Sequence, residues 1–149
     1  MKKRWLIFAA MVLFALVLTA CGSREPQTIE GFTEIMEQAS FYVEHDSDGT
    51  ISAAWAIDAE QRFEIAFYVF ESDVEANRAF NQIRSDFNTM TGGVVSRSEV
   101  NTSGHNIYRL RSGGTIYRAS RIENTLAFVI ADDAYTRYVD DALDAIGYR

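Results

Sequence analysis

From about residue 94 to residue 131 the chain reads as three or four strand-like segments in close order, near 94 to 100, 105 to 111, 115 to 122 and 125 to 131. A parallel connection needs a crossover of a dozen or more residues, so segments this closely spaced must pair antiparallel. Gly113-Gly114 has the composition of a two-residue hairpin turn, whose residues both take positive φ. That turn would set Arg111 opposite Ile116, Leu110 opposite Tyr117 and Arg109 opposite Arg118. A three-residue turn would shift the register and exchange the faces.

The rest of the chain supplies partners for that sheet. Thr28 is a suitable N-cap for a helix from about 28 to 40 whose Ile29, Phe32, Ile35, Met36 and Ala39 share one face. A turn at Asp46 to Gly49 precedes an alternating segment, Ile51 to Asp58, and the apolar run RFEIAFYVF at 62 to 70 suits a central strand. Ser72 and Glu75 form a capping box before a helix with Ala76, Phe80, Ile83, Phe87 and Met90 in one stripe, stopping at Gly92-Gly93. A last helix begins near Asp132 and Asp133, turns Tyr135, Tyr138, Val139, Ala142 and Ile146 inward, and ends at Gly147. The expected architecture is α+β: a single antiparallel sheet of five to six strands packed against about three helices.

The first twenty residues have a different composition. Lys2, Lys3 and Arg4 precede an apolar stretch from Trp5 to Leu18, followed by the small pair Thr19 and Ala20. This is the layout of a secretory signal. A helix from Trp5 to Ala20 would cover roughly 24 Å, short of the ~30 Å hydrocarbon core, so a permanent span is the poorer reading. Leu18-Thr19-Ala20-Cys21 closely resembles the lipobox of bacterial lipoproteins, and Cys21 is the only cysteine in the chain. The resemblance implies a diacylglyceryl group on the Cys21 thiol and cleavage between Ala20 and Cys21. The expected organisation is a signal peptide at 1–20, a lipidated Cys and short tether at 21–27, and one domain at 28–149.

Removal of the signal takes away three positive and no negative residues, moving the formal charge from -7 to -10, with 11 Arg against 21 Asp and Glu. Such a body lacks the basic surface that nucleic acid requires. Two or three acyl chains on one residue suffice for stable anchoring. The expected location is the extracytoplasmic side of the cell membrane, and a monomer is expected.

In outline the order of elements looks like the PsbP-like layout that small exported lipoproteins use. Three pieces, EIAFYVF at 64 to 70, RIENTLAFV at 121 to 129 and AIGY at 145 to 148, resemble small lipoproteins of Gram-positive bacteria. Those pieces are strand cores and a helix end, so they imply a fold and no activity.

The chemistry-bearing residues are sparse. In EHDSDGTISAAW, Asp46, Asp48 and Gly49 fit positions 3, 5 and 6 of a calcium loop, but position 12, which should be a bidentate Glu, is Trp55. His45, His105 and one cysteine are too few for a zinc site, and Ser103 beside His105 makes no triad. No cofactor is expected.

Five arginines, Arg97, Arg109, Arg111, Arg118 and Arg121, stand against one acid, Glu99, between residues 97 and 122. On one strand face, Arg109, Arg111 and Arg118 would either hold an anionic ligand or partner, or be neutralised by acids of the last helix. The functional expectation is a non-catalytic binding module at the envelope; the competing one is an enzyme with a site of scattered Asp, Glu, Tyr and Arg. Titration of the protein with millimolar calcium in a calorimeter is expected to give no binding heat; a saturable signal would restore the Asp46, Asp48 loop.

Overall fold

The computed structural model describes residues 24–47, 49–91, 93 and 96–149. Leu18, Thr19, Ala20 and Cys21, the residues of the expected lipobox, lie outside them, together with Asp48 and Gly92. Helix α1 (Ile29–Gln38) is followed by β1 (Tyr42–Ser47), β2 (Ser52–Ile57), β3 (Glu64–Val69) and helix α2 (Asp73–Thr89). Then come β4 (Ser96–Asn101), β5 (His105–Ser112), β6 (Thr115–Ile122), β7 (Thr125–Asp132), a 3-10 turn (Asp133–Tyr135) and helix α3 (Thr136–Ala145). All seven strands form one antiparallel sheet in the order β1-β2-β3-β7-β6-β5-β4.

The α+β class is as expected, with seven strands where the sequence pattern indicated five to six. The additional strand is β1, YVEHDS, whose residues are mostly exposed. It lies at the edge of the sheet, where charged residues are common because they discourage stray pairing. An edge strand therefore carries little of the apolar alternation by which strands are recognised in sequence.

The sheet has helices on both faces. On one face α1 and α3 cover a core that includes Phe32, Met36, Ile65, Phe67, Val129, Val139 and Tyr148. On the other, α2 lays Phe80 and Phe87 over Tyr108, Leu110, Tyr117, Ala119 and Leu126. The two strands that follow Gly113 and Gly114 in opposite directions keep the register of a two-residue turn: φ is +58° and +81°, and Arg109 stands opposite Arg118.

Local signals set the helix ends. The Ser72 hydroxyl accepts from the Glu75 N–H at 3.3 Å, and Thr28 caps α1 through the Gly31 N–H at 3.0 Å. Helix α3 closes at Gly147, φ +81°, where the Tyr148 N–H reaches the Leu143 carbonyl and the Gly147 N–H the Asp144 carbonyl. These are the paired bonds of a Schellman motif. They turn Tyr148 back into the core, edge-on to Phe67. The Tyr148 hydroxyl bonds to Thr125 Oγ1, which itself donates to the Ile122 carbonyl at 2.6 Å, and accepts from the Gln27 N–H at 3.2 Å.

Strand β2 alternates as the sequence indicates, and three helix side chains depart from their periodicity. In β2, Ala54 and Ala56 face the main core, while Trp55 and Ile57 point to the α2 side of the sheet. In α3, Leu143 is buried and Tyr138 is mostly exposed, and Met90 at the end of α2 is exposed as well. Helix α3 begins only after the 3-10 turn, which rotates its inward stripe relative to a helix started at Asp132. Among the described residues no helix is long and apolar enough to cross a membrane.

Phe67 is fully buried, stacks on Phe32 at a centroid separation of 4.6 Å and meets the Tyr148 edge at 5.7 Å. Phe67→Ala is expected to cost about 3–5 kcal/mol, read as a lowered urea midpoint in equilibrium unfolding.

Candidate functional site

The arginine face forms as the hairpin register requires. Arg109 and Arg111 on β5 and Arg118 on β6 project to the α3 side. Arg111 donates through Nη2 and Nε to one oxygen of Asp133, at 2.6 and 3.0 Å. Arg118 meets Asp140 at 3.4 Å and extends Nη1 toward the carbonyls of Tyr117 and Leu110 at 3.3 and 3.5 Å. Acids of the last helix and the turn before it thus neutralise two of the three cations. Among the described residues Arg109 makes no ion pair.

Burial pulls the Arg118 pKa below the ordinary arginine value, an effect that Asp140 opposes and the cations of Arg109 and Arg111 reinforce. Beneath this group the Ser120 hydroxyl is buried without a partner among the described residues, beside a void of about 10 Å³ that Arg109, Arg118 and Asp140 also line. That space is on the scale of one water molecule. Arg121 belongs to the opposite face, where it is buried and bonds Asn106 Oδ1 at 2.6 Å and the carbonyls of Glu123 and Ser103.

The other candidates are taken apart. The Ser103 carbonyl receives Arg121, while His105 Nε2 lies 3.4 Å from Arg24 Nη1, so the two residues engage different arginines. Burial first, then the charges of Arg24 and Arg121, lower the His105 pKa and favour its neutral form. The calcium-like segment is a β-hairpin, with Glu44 directly opposite Trp55 and Asp46 opposite Ala53. Part of it lines a groove of about 640 Å³ at the N-terminus of α1, where Thr28, Glu30, His45, Asp46, Ser52 and Thr125 are among the lining residues.

A feature that the periodicity did not disclose lies on the α2 side of β1 to β3. Helix α2 packs on β6 and β7, and Trp55, Tyr68 and Phe128 remain half-buried in a continuous aromatic row. Tyr68 lies parallel to Phe128 at 5.9 Å, and Trp55 meets Tyr68 edge-on at 6.1 Å. Desolvation of its phenol raises the Tyr68 pKa. The same face of β1 presents Tyr42, Glu44 and Asp46, and β3 adds Glu64 opposite Ile57.

A sequence signal for this region exists. Residues 25 to 61 contain nine acids and not one Lys or Arg. The five arginines between 97 and 122 belong to β4, β5 and β6, at the other end of the sheet. The domain is therefore electrically polarised from one sheet edge to the other.

No protein-family model matches the chain, and no curated protein matches it. Among solved structures, a GTP binding regulator from Thermotoga maritima is similar at 15% identity and a TM-score of 0.43, over 80% of this chain and 87% of its own. At that distance the likeness carries no functional information.

Two carboxylates carry an expected pH dependence. The hydrogen bonds from Arg62, at 2.7 and 2.8 Å, hold Asp58 below the usual carboxylate range, and Asn101 followed by Arg84 does the same for Glu99. A depressed carboxylate stabilises the fold above its unfolded pKa of about 4 and loses that contribution as pH falls through the folded value. Urea midpoints are expected to hold from neutral pH down to about 5 and to fall below about 4, with part of the fall removed in Asp58→Asn.

Proposed function

We propose that the chain is a membrane-anchored extracytoplasmic lipoprotein whose α+β domain acts as a non-catalytic binding module at the cell envelope. The observation that carries the reading is Leu18-Thr19-Ala20-Cys21, placed directly after a charged and then apolar segment and holding the chain's single cysteine. Two or three acyl chains on Cys21 supply the binding energy for stable attachment, at about 0.8 kcal/mol per buried methylene. The acidic domain adds nothing to adhesion on an anionic leaflet.

The start of the domain supports a close attachment. Arg24, three residues past Cys21, donates to the carbonyls of Gly147 and Arg149, and the Gln27 N–H is held by Tyr148. With Arg24 tied to the C-terminal segment, only two residues, Gly22 and Ser23, separate it from the acylated position. At about 3.5 Å per residue that leaves the domain within roughly 10 Å of its lipid. The binding reading draws on the unbalanced charge of the α1 and β1 end and on the half-buried aromatic row beside it.

Expressed in bacteria supplied with an alkyne palmitate, the protein is expected to take up label and to sediment with membranes, while Cys21→Ser is unlabelled. Inhibition of the lipoprotein signal peptidase is expected to leave the 20 leading residues attached. Membrane sedimentation of Cys21→Ser equal to the wild type, with no label on either, would overturn the lipoprotein reading in favour of an uncleaved anchor.

A further inference from the structure

Strand β1 pairs with β2 on one side, and among the described residues nothing pairs with its other side. It therefore offers a row of backbone donors and acceptors of the kind a visiting strand can join. Tyr42, Glu44 and Asp46 alternate along it on one face, about 7 Å apart, which is the spacing of alternate side chains on any added strand. Glu44 stands directly opposite Trp55, whose ring is buttressed by Tyr68 and through it by Phe128.

The charge around this edge is of one sign. On the other face of the sheet α1 presents Glu30, Glu34 and Glu37, and no Lys or Arg occurs anywhere from residue 25 to residue 61. The acids of the arginine face have partners within the fold; the strand acids Glu44 and Asp46 make no ion pair among the described residues. From these observations we infer that the β1 edge is a docking strip for an extended, lysine- or arginine-bearing segment of another protein, which adds as a strand and sets alternate cations against Glu44, Asp46 and the Trp55 face.

Each part of the strip selects for such a segment. Backbone pairing supplies affinity that is indifferent to sequence, and alternate side chains supply the choice. Carboxylates favour cations at short range, and an indole face adds a cation–π attraction of about 0.5–1 kcal/mol when exposed. The same acids repel a second β1 edge, so the strip discriminates against pairing with its own copy. The opposite edge, β4, offers a single arginine, Arg97, already bonded to Asn88 at 2.6 Å. A neutral glycan would use the aromatic faces and leave the one-signed charge without a counterpart.

The inference deepens the binding-module reading and is separable from the lipid anchor, since it is tested in detergent solution. Trp5 and Trp55 are the only tryptophans, so full-length protein carrying Trp5→Phe in neutral detergent micelles reports from Trp55 alone. The probe is a short peptide alternating lysine with threonine; controls are the same peptide with glutamate for lysine, and a neutral chitin oligosaccharide. The lysine peptide is expected to shift Trp55 emission saturably, with an apparent Kd that rises about tenfold from low to high salt and about tenfold in Glu44→Gln/Asp46→Asn.

Those two side chains are exposed, so the variant keeps the fold; if it did not, the salt series on the unaltered strip would decide alone. Equal response to the glutamate peptide, no response to the lysine peptide at millimolar concentration, or an emission change from the oligosaccharide alone would each overturn the inference. So would an emission shift on concentrating the protein without peptide, which would assign the edge to self-association. Failure of palmitate labelling with a positive titration would remove the anchor and leave the docking strip standing.

Discussion

Four residue pairs hold the two halves of this protein together. Strand β3 meets β7 from Ala66 opposite Phe128 to Val69 opposite Thr125, joining segments that lie roughly sixty residues apart in the chain. Every other strand pair in the sheet is between neighbours in sequence. Closing so long a loop costs entropy that only burial returns. The pairing sits where burial is densest: Phe67 and Ala127, directly opposite one another, are both fully buried under α1 and α3. On the other face Tyr68 and Phe128 stack. Loss of this seam would leave a three-stranded and a four-stranded meander, each with half a core.

The seam also divides the charge. Beyond it on one side lie β4, β5 and β6 with five arginines, of which Arg111, Arg118, Arg97 and Arg121 find partners in Asp133, Asp140, Asn88 and Asn106. On the other side lie α1 and β1, whose Glu30, Glu34, Glu37, Glu44 and Asp46 have no Lys or Arg among them, and the uncharged β2. The arginine half is thus largely satisfied inside the fold, and the acidic half faces outward. Mutual attraction across the domain is weak over such distances in salt, so the polarity contributes little to stability.

Much of the fold was legible because several signals are local. The Ser72 and Glu75 capping box, the Gly113-Gly114 turn and the Gly147 helix stop each depend on dihedral angles and hydrogen bonds within a few residues. The register Arg109 opposite Arg118 followed from the turn alone. Strand β1 was not legible, because an edge strand needs no apolar alternation and YVEHDS has little. The alternation in β2 was legible, but periodicity separates two faces and does not say which receives more helices. Small alanines at 54 and 56 face the main core because α1 approaches closely there, and the larger Trp55 lies half-buried on the other face. For the candidate site, the arginine cluster was visible in composition and its neutralisation by acids near the last helix was one of the two expected outcomes; which acid meets which arginine, Asp133 with Arg111 and Asp140 with Arg118, was not legible, since the partners are 22 residues apart in each case.

By itself the sequence determined the antiparallel sheet, the helix termini other than the start of α3, the hairpin register and the segregation of charge along the chain, all set by short-range sterics, capping and composition. It also carries Leu18-Thr19-Ala20-Cys21, the stretch on which the lipoprotein proposal rests. Tertiary structure decided the rest: that β3 and β7 adjoin, that α1 and α3 share one face while α2 takes the other, and that the acidic segment becomes a sheet edge beside an aromatic row. Those outcomes depend on which apolar surfaces can be buried together, a property of the whole chain that no window of sequence contains.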